Sequence, residues 1–238
     1  MSISRTIRKT SGGLFFTLFK KTFKVEGLEF FIPFKLTDLQ FRSRFLSDSY
    51  EAEERKYLKE YLPEDATVLE LGSCLGIVSC LTNRLLKNKS NHVVMEANPL
   101  LIDSIRKNRD HNNCLFDIES GMISHSKENE FYIHDLIVGG SSKRKTGRKI
   151  IVNGMTIQDL EDKYNLKFDT LVMDIEGGEL DLLENHPAFF HNFKMIFMEV
   201  HPFADILTPL EAKRCEEILT RLNFKLKLRD RNFQVWIK

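Results

Sequence analysis

Asp174, Glu176 and Glu179 stand around a glycine pair in DTLVMDIEGGELDLLENHP, residues 169 to 187, where a strongly apolar run ends. Carboxylates at this spacing suit three kinds of chemistry: ligation of a hard cation, acid/base work as a pair, or a favourable charge at a helix start. Glu179 opens a helical pattern, so the helix N-terminus accounts for it. Asp174 has no such structural duty, and a lone acid at a strand end beside two glycines points to ligand binding or proton handling. Asp174 and Glu176 are expected to diverge unless the glycines bend the chain, so that the three acids would not meet on one atom. Glu176 stands as a further catalytic candidate.

A second constellation lies in FMEVHP, where Glu199 and His201 end another apolar run. Spaced by two in extended backbone, they share one face. His201 is the imidazole best suited to be a general base, because histidine ordinarily titrates near neutrality. The alternative is a histidine that only satisfies local backbone groups. A divalent cation on Asp174, Glu199 and His201 is chemically reasonable, but spacing alone does not establish one, and no metal ligand is assigned. His134, His186 and His191 read as surface or loop residues, and Trp236 as core.

The third feature is VLELGSCLGIVS, Val68 to Ser79: a strand, a glycine turn at Gly72 and Gly76, then a helix. Such a turn brings a ligand close to the backbone, and the helix start offers free N–H groups. Glu96, in VVMEANP, ends the next strand 24 residues beyond Gly72, where a carboxylate can accept ribose hydroxyls. Together these form an adenosine-ligand signature. A dinucleotide needs a phosphate cradle, and the close glycine triplet that usually builds one is missing. S-adenosyl-L-methionine carries no phosphate, and Glu70 suits its ammonium group.

The elements that must hold these residues alternate. TVLELG, HVVMEA, CLFDIES, TLVMDI and KMIFMEV read as strands, with helices at Ile77 to Leu86, Pro99 to Arg109, near Met155 to Tyr164 behind a Thr156 cap, and at Glu179 to Glu184. Runs this apolar on both faces predict a parallel sheet covered by helices. FYIHDLIV adds a strand, and a helix from Pro209 to Leu222 leads into FKLKLRD and RNFQVWIK, an antiparallel hairpin. The fold class is therefore α/β, doubly wound, with a mostly parallel sheet and an antiparallel C-terminal hairpin. Residues 50–238 form the main domain. Residues 1–49 form an extension containing a short hairpin between Phe23 and Phe34, and Asp48 or Ser49 caps a helix that follows.

At 238 residues and 42% apolar composition the chain has enough for one large core. Its 35 basic and 34 acidic side chains leave a formal charge of +1, which gives no global attraction to nucleic acid. Cys74, Cys80, Cys114 and Cys215 lack paired spacing and read as free thiols. The apolar run Leu14 to Phe19 is too short to span a bilayer. These features predict a soluble, cytoplasmic protein. Two local charge features stand out. Arg5, Arg8, Lys9, Lys20, Lys21 and Lys24 all precede the first acid, Glu26, and bracket Phe15, Phe16, Phe19 and Phe23. Such a segment either caps the main domain or lies on an anionic membrane surface. The stretch GGSSKRKTGRK, residues 139 to 149, reads as a basic loop; it holds no aromatic residue to stack on bases, which argues against nucleic acid.

ELGSCLG, MEANP, DTLVMDIEGGELDLL and FMEVHP together resemble the FkbM family of S-adenosylmethionine-dependent methyltransferases, over roughly Tyr50 to Pro202. The resemblance implies a class I methyltransferase fold and methylation of hydroxyl groups, often of sugars or natural products. It implies cofactor contacts at Glu70, Gly72 and Gly76, with Ser73 and Cys74 where the family usually has an Ala-Asn pair. It implies a ribose site at Glu96, with Ala97 and Asn98 beside it, an adenine wall at Gly121 and Met122, and Asp174 facing cofactor and acceptor. The expected function is O-methylation of a sugar, glycan or related small molecule; the basic loop either meets an anionic part of the acceptor or is a solvated charge run. Two other functions stay open: a non-catalytic nucleotide-fold module with a membrane- or anion-binding surface, and an NAD-dependent oxidoreductase.

Overall fold

The structure is a computed structural model that describes residues 3–47, 49–133, 147–202 and 206–238. The chain opens with α1 (Ile3–Phe15), a π-helical turn (Phe16–Lys20), the hairpin β1 (Thr22–Val25) and β2 (Leu28–Phe31), α2 (Leu39–Arg42) and a 3-10 turn (Ser43–Leu46). Then come α3 (Ala52–Tyr61), β3 (Val68–Leu71), α4 (Ile77–Leu85), β4 (His92–Glu96), α5 (Ile102–His111) and β5 (Asp117–Ser120). Three further strands, β6 (Met122–Ile123), β7 (Glu128–Ile133) and β8 (Arg148–Met155), precede α6 (Ile157–Tyr164). The remainder is β9 (Thr170–Met173), α7 (Glu179–Asn185), β10 (Met195–Glu199), α8 (Pro209–Arg221), β11 (Lys225–Asp230) and β12 (Phe233–Ile237).

Among the described residues, seven strands form the central sheet in the order β11-β12-β10-β9-β3-β4-β5. The run from β10 to β5 is parallel, and β12 enters antiparallel between β10 and β11. The α/β architecture and its reversed C-terminal hairpin are those read from the sequence pattern. Every residue of β3, β4 and β9 is buried, which is why their sequences are mostly apolar on both faces rather than alternating. Leu69, Leu71, Val93, Met95, Leu171 and Met173 face a layer that includes α8 and the Phe189–Phe193 turn. Val68, Val94, Val172 and Phe197 face the other way.

The N-terminal segment shares this second face: Phe16, Phe23, Phe30, Phe41 and Tyr50 pack with Leu75, Ile77, Val94 and Ile105. Asn108 on α5 and Asn112 just after it fasten it further, since the Phe31 and Glu29 N–H groups donate to Asn108 and Asn112 at 2.8 and 3.0 Å. Among the described residues no helix is long and apolar enough to cross a membrane.

Several boundaries differ from the sequence pattern for local reasons. The helix expected from Pro99 starts at Ile102, because the Leu100 N–H bonds the Asn98 side chain (3.1 Å) and the Leu101 N–H bonds the Asn98 carbonyl (3.0 Å), spending that stretch on a turn. α3 starts at Ala52 behind Glu51, which sits in the left-handed region (φ 51°) and supplies no side-chain cap; Asp48 lies outside the described residues. Arg148 and Lys149, read as loop, open β8 and pair it antiparallel with β7. Residues 139–146 of that loop, and the second half of FYIHDLIV with His134, also lie outside the described residues.

Helix starts follow side-chain chemistry. Thr156 and Thr208 both form reciprocal capping boxes, with Asp159 and Glu211 respectively. In the second, the Thr208 N–H donates to Glu211 at 2.7 Å and the Glu211 N–H donates back to the Thr208 hydroxyl oxygen at 3.2 Å. Thr208→Ala removes this exchange and is expected to lower the unfolding free energy by about 1 kcal/mol in urea titration; an unchanged midpoint contradicts the assignment.

Candidate active site

The chain builds β3, β4 and β5 outward on one side, then returns to place β9 against the other side of β3. That reversal opens a crevice at the C-terminal ends of β3 and β9, where open α/β sheets bind ligands. The loop after β3 enters it under tight constraint. Gly72 has φ +81°, and a Cβ there would fall 1.8 Å from the Asp174 carbonyl oxygen. Its N–H bonds the Met95 carbonyl (2.9 Å), while the Asp174 N–H bonds the Leu71 carbonyl (3.0 Å). The ends of three strands thus meet on this glycine.

Glu96 organises the same loop from below. One of its oxygens accepts the Ser73 and Cys74 N–H groups at 3.1 and 3.0 Å, and the other accepts the Asn98 N–H at 2.8 Å. Burial raises its pKa, and those N–H groups oppose the rise. Beside it the Ser73 hydroxyl and the Asn98 amide nitrogen are buried without a protein partner, and both residues line the crevice. Buried polar atoms are rarely left so, and a ligand rich in hydroxyls and ring nitrogens would satisfy them.

Glu70 also borders the crevice, but its carboxylate is only 1% exposed: the Ser79 hydroxyl donates to it, and His92 lies 3.2 Å away. Sequence reasoning missed His92, which heads β4 inside an apolar run. Ala97, Gly121 and Met122 form part of the wall, and the Gly121 N–H bonds the Glu96 carbonyl at 3.0 Å. Gly76 is absent from the lining: it precedes α4 with φ +75° and bonds back to the Ser73 carbonyl at 2.7 Å. There it shapes the loop that carries Ser73 and Cys74.

Across the crevice His201 is ringed by acids. Its Nδ1 lies 3.6 Å from Asp174, and its Nε2 lies 3.7 Å from both Glu176 and Glu199. The expected divergence of Asp174 and Glu176 does not occur, because residues two apart in extended chain share a side, and the turn at Glu176 (φ 49°) and Gly177 (φ 96°) curls the second acid inward. Glu179 does start α7, and the Ile175 N–H reaches it at 3.4 Å, yet its buried carboxylate also stands in this group.

Two acids at the start of α3, Glu51 just before it and Glu54 within it, complete the cluster and were not foreseen. Glu54 is buried and bonds the Glu199 carboxyl, and Glu51 adds its charge nearby. A signal existed, since Glu54 shares a helix face with the apolar Tyr57 and Leu58. Crowding has electrostatic consequences. Burial first, and then the neighbouring Glu199 and Glu176, push Asp174 well above the usual carboxylate range. Burial and the bond to Glu54 push Glu199 up to about 10. Glu199 thus holds a proton at neutral pH, because so many like charges cannot all ionise together.

The same convergence gives metal-compatible geometry. Asp174, Glu179 and His201 offer ligand atoms all within 4.8 Å of one another, and so do Glu54, Asp174 and Glu199. The crevice encloses about 1180 Å³, more than one small ligand fills, so a cofactor and an acceptor fit together. His186, read as a surface or loop residue, sits at the turn after α7 and also lines the crevice.

Glu199 takes up its proton on folding, so between its ordinary value of 4.5 and about 10 the native state binds a proton that the unfolded chain lacks. Stability contributed by this group is therefore fully present below the lower value and is lost as pH rises through the upper one. Glu199→Gln is expected to flatten the alkaline loss of stability in urea titrations between about pH 5 and 9. Parallel pH profiles for the two proteins would contradict the assignment.

A curated relative, the hexuronic acid methyltransferase AglP of Haloferax volcanii, is 25% identical over 186 residues, covering 76% of this chain and 74% of that protein. Among solved structures, a methyltransferase from Pyrococcus furiosus superposes with a TM-score of 0.50 at 13% identity, covering 98% of this chain and 94% of its own. An O-methyltransferase from Bacillus cereus in complex with SAH has a TM-score of 0.47 at 12% identity, with 81% and 82% covered. The model of the methyltransferase FkbM domain matches residues 70–234, a span that runs from Glu70 through the carboxylate–imidazole cluster to the terminal hairpin. The chain belongs to the FkbM methyltransferase family.

Proposed function

We propose that this methyltransferase takes its methyl group from S-adenosyl-L-methionine and delivers it to a hydroxyl of a sugar-type acceptor. The observation that carries this reading is the imidazole of His201 between Asp174, Glu176 and Glu199 on the wall opposite the Glu96 loop. When bound, the cofactor supplies a methyl already activated on a sulfonium, so the protein must chiefly position the acceptor and remove its proton. Glu96, held by backbone N–H groups, keeps a carboxylate lone pair for the ribose, and Ser73 and Asn98 supply donors beside it.

Charge favours this cofactor over a dinucleotide. Glu51, Glu54, Asp174, Glu176 and Glu199 all border the crevice; Glu199 is protonated, and those of the acids that keep a charge attract a cationic sulfonium and repel a pyrophosphate. The same wall bears on the acceptor: carboxylates accept hydrogen bonds from hydroxyls, so an uncharged polyol end fits beside His201 better than an anionic one. The relative named for hexuronic acid supports the sugar class. In this reading His201 takes the proton of the attacking hydroxyl, and the flanking acids orient the ring.

Calorimetry is expected to show binding of S-adenosylmethionine and none of NAD; binding of NAD alone overturns the reading. With a panel of sugars and glycans as acceptors and mass analysis of products, His201→Ala and Asp174→Asn should each lose about 10²–10⁴-fold in turnover while keeping cofactor affinity. Near-normal turnover in both variants removes the acid/base assignment.

A further inference from the structure

The N-terminal helix has two faces. On one, Gly13 presses on α2 so closely that a Cβ would stand 1.8 Å from the Leu39 carbonyl oxygen, and Phe16 is fully buried. Arg42 donates to the Thr17 hydroxyl at 2.7 Å and locks this contact. The opposite face is apolar and open: Ile7, Leu14, Phe15, Leu18 and Phe19 are 50% or so exposed or more, with Phe19 at 71%. Their spacing of three, four and seven residues puts them on one stripe, and the Phe15 and Phe19 rings touch at 5.0 Å between centroids. Arg8, Lys20, Lys21 and Lys24 are exposed around it. No acid precedes Glu26, whereas the whole chain is near neutral at +1, so the rest of the molecule is net acidic.

We infer that this stripe is a docking surface for an anionic phospholipid bilayer. An apolar band rimmed by lysines and arginines matches a membrane interface, where the aromatic and aliphatic side chains enter the headgroup boundary and the cations meet lipid phosphates. A protein partner fits less well, because lysine is depleted at protein–protein interfaces. The segregation of charge matters too: an anionic surface attracts this end and repels the acid-lined remainder, which fixes the orientation of docking. The helix is rigidly joined to the crevice, since the turn that follows α2 carries Arg44, and Arg44 and Tyr50 line the opening. Docking through α1 therefore holds the methyl-transfer crevice at the bilayer.

The test is co-sedimentation of the full chain with vesicles of phosphatidylcholine alone and of phosphatidylcholine with phosphatidylserine. The chain is expected to sediment with the anionic vesicles and to be released by salt. The double substitution Phe15→Ser, Phe19→Ser should weaken binding at least about tenfold, from lost apolar insertion. The charge variant Lys20→Glu, Lys21→Glu should erase the preference for phosphatidylserine. All these positions are exposed, so thermal unfolding of the variants should match the parent and so confirm that the fold is intact. A chain that stays in solution with both vesicles, or variants that bind as the parent does, overturns the inference. So does a dimer in sedimentation velocity that the phenylalanine substitutions dissolve without any vesicle binding, which assigns the stripe to a second copy.

Discussion

The contact on which the site depends is the approach of Gly72 to the Asp174 main chain, a place where only hydrogen fits. Any side chain at position 72 would push β9 from β3 at the one point where the sheet changes direction. The contact is made by backbone, yet it sets side-chain chemistry. By holding the Asp174 carbonyl against the glycine loop, it fixes the strand end that presents the Asp174 carboxylate to His201. The hydrogen bonds from Gly72 to Met95 and from Asp174 to Leu71 extend the clamp over three strands. The loop, the ribose-side acid on β4 and the imidazole-side acid on β9 are thus one mechanical unit.

On that frame rests an arrangement that is electrostatically costly. Asp174, Glu176, Glu179 and Glu199 converge on one imidazole, with Glu54 behind them. Isolated, such a group would lower stability; in place, part of it holds protons and part faces the histidine. Sites that work on protons carry this kind of stored frustration, which the buried sheet beneath can sustain. The contrast with Glu70 is instructive. That acid is more deeply buried than Asp174, Glu176 or Glu199, and Ser79 donates to one of its oxygens while His92 lies 3.2 Å from the other.

The N-terminal segment is joined to this centre more closely than an appendage. Its aromatic residues share a core with α4 and α5, and Arg55 on α3 bonds both the Tyr50 carbonyl (3.0 Å) and Glu26 (3.1 Å) in the hairpin turn. Glu51 and Glu54 follow directly, so the position of this segment governs two of the acids that tune Glu199.

The sequence by itself determined the alternation of strands and helices, the reversed terminal hairpin, and the residues at strand ends, because apolar period and turn chemistry are local properties of the chain. Gly72, Glu96, Asp174 and His201 were legible in that way, each lying at a break in an apolar run. Tertiary structure alone decided which of them meet. Glu54 reaches Glu199 from a helix far earlier in the chain, and His92 reaches Glu70 across neighbouring strands; no spacing in sequence encodes distances set by sheet order. The inward curl of Glu176 followed from a left-handed residue that propensity does not mark, and β8 escaped notice because its buried positions, Val152 and Gly154, include no large side chain beyond valine. Local chemistry named the participants, and long-range packing fixed their protonation and their partners.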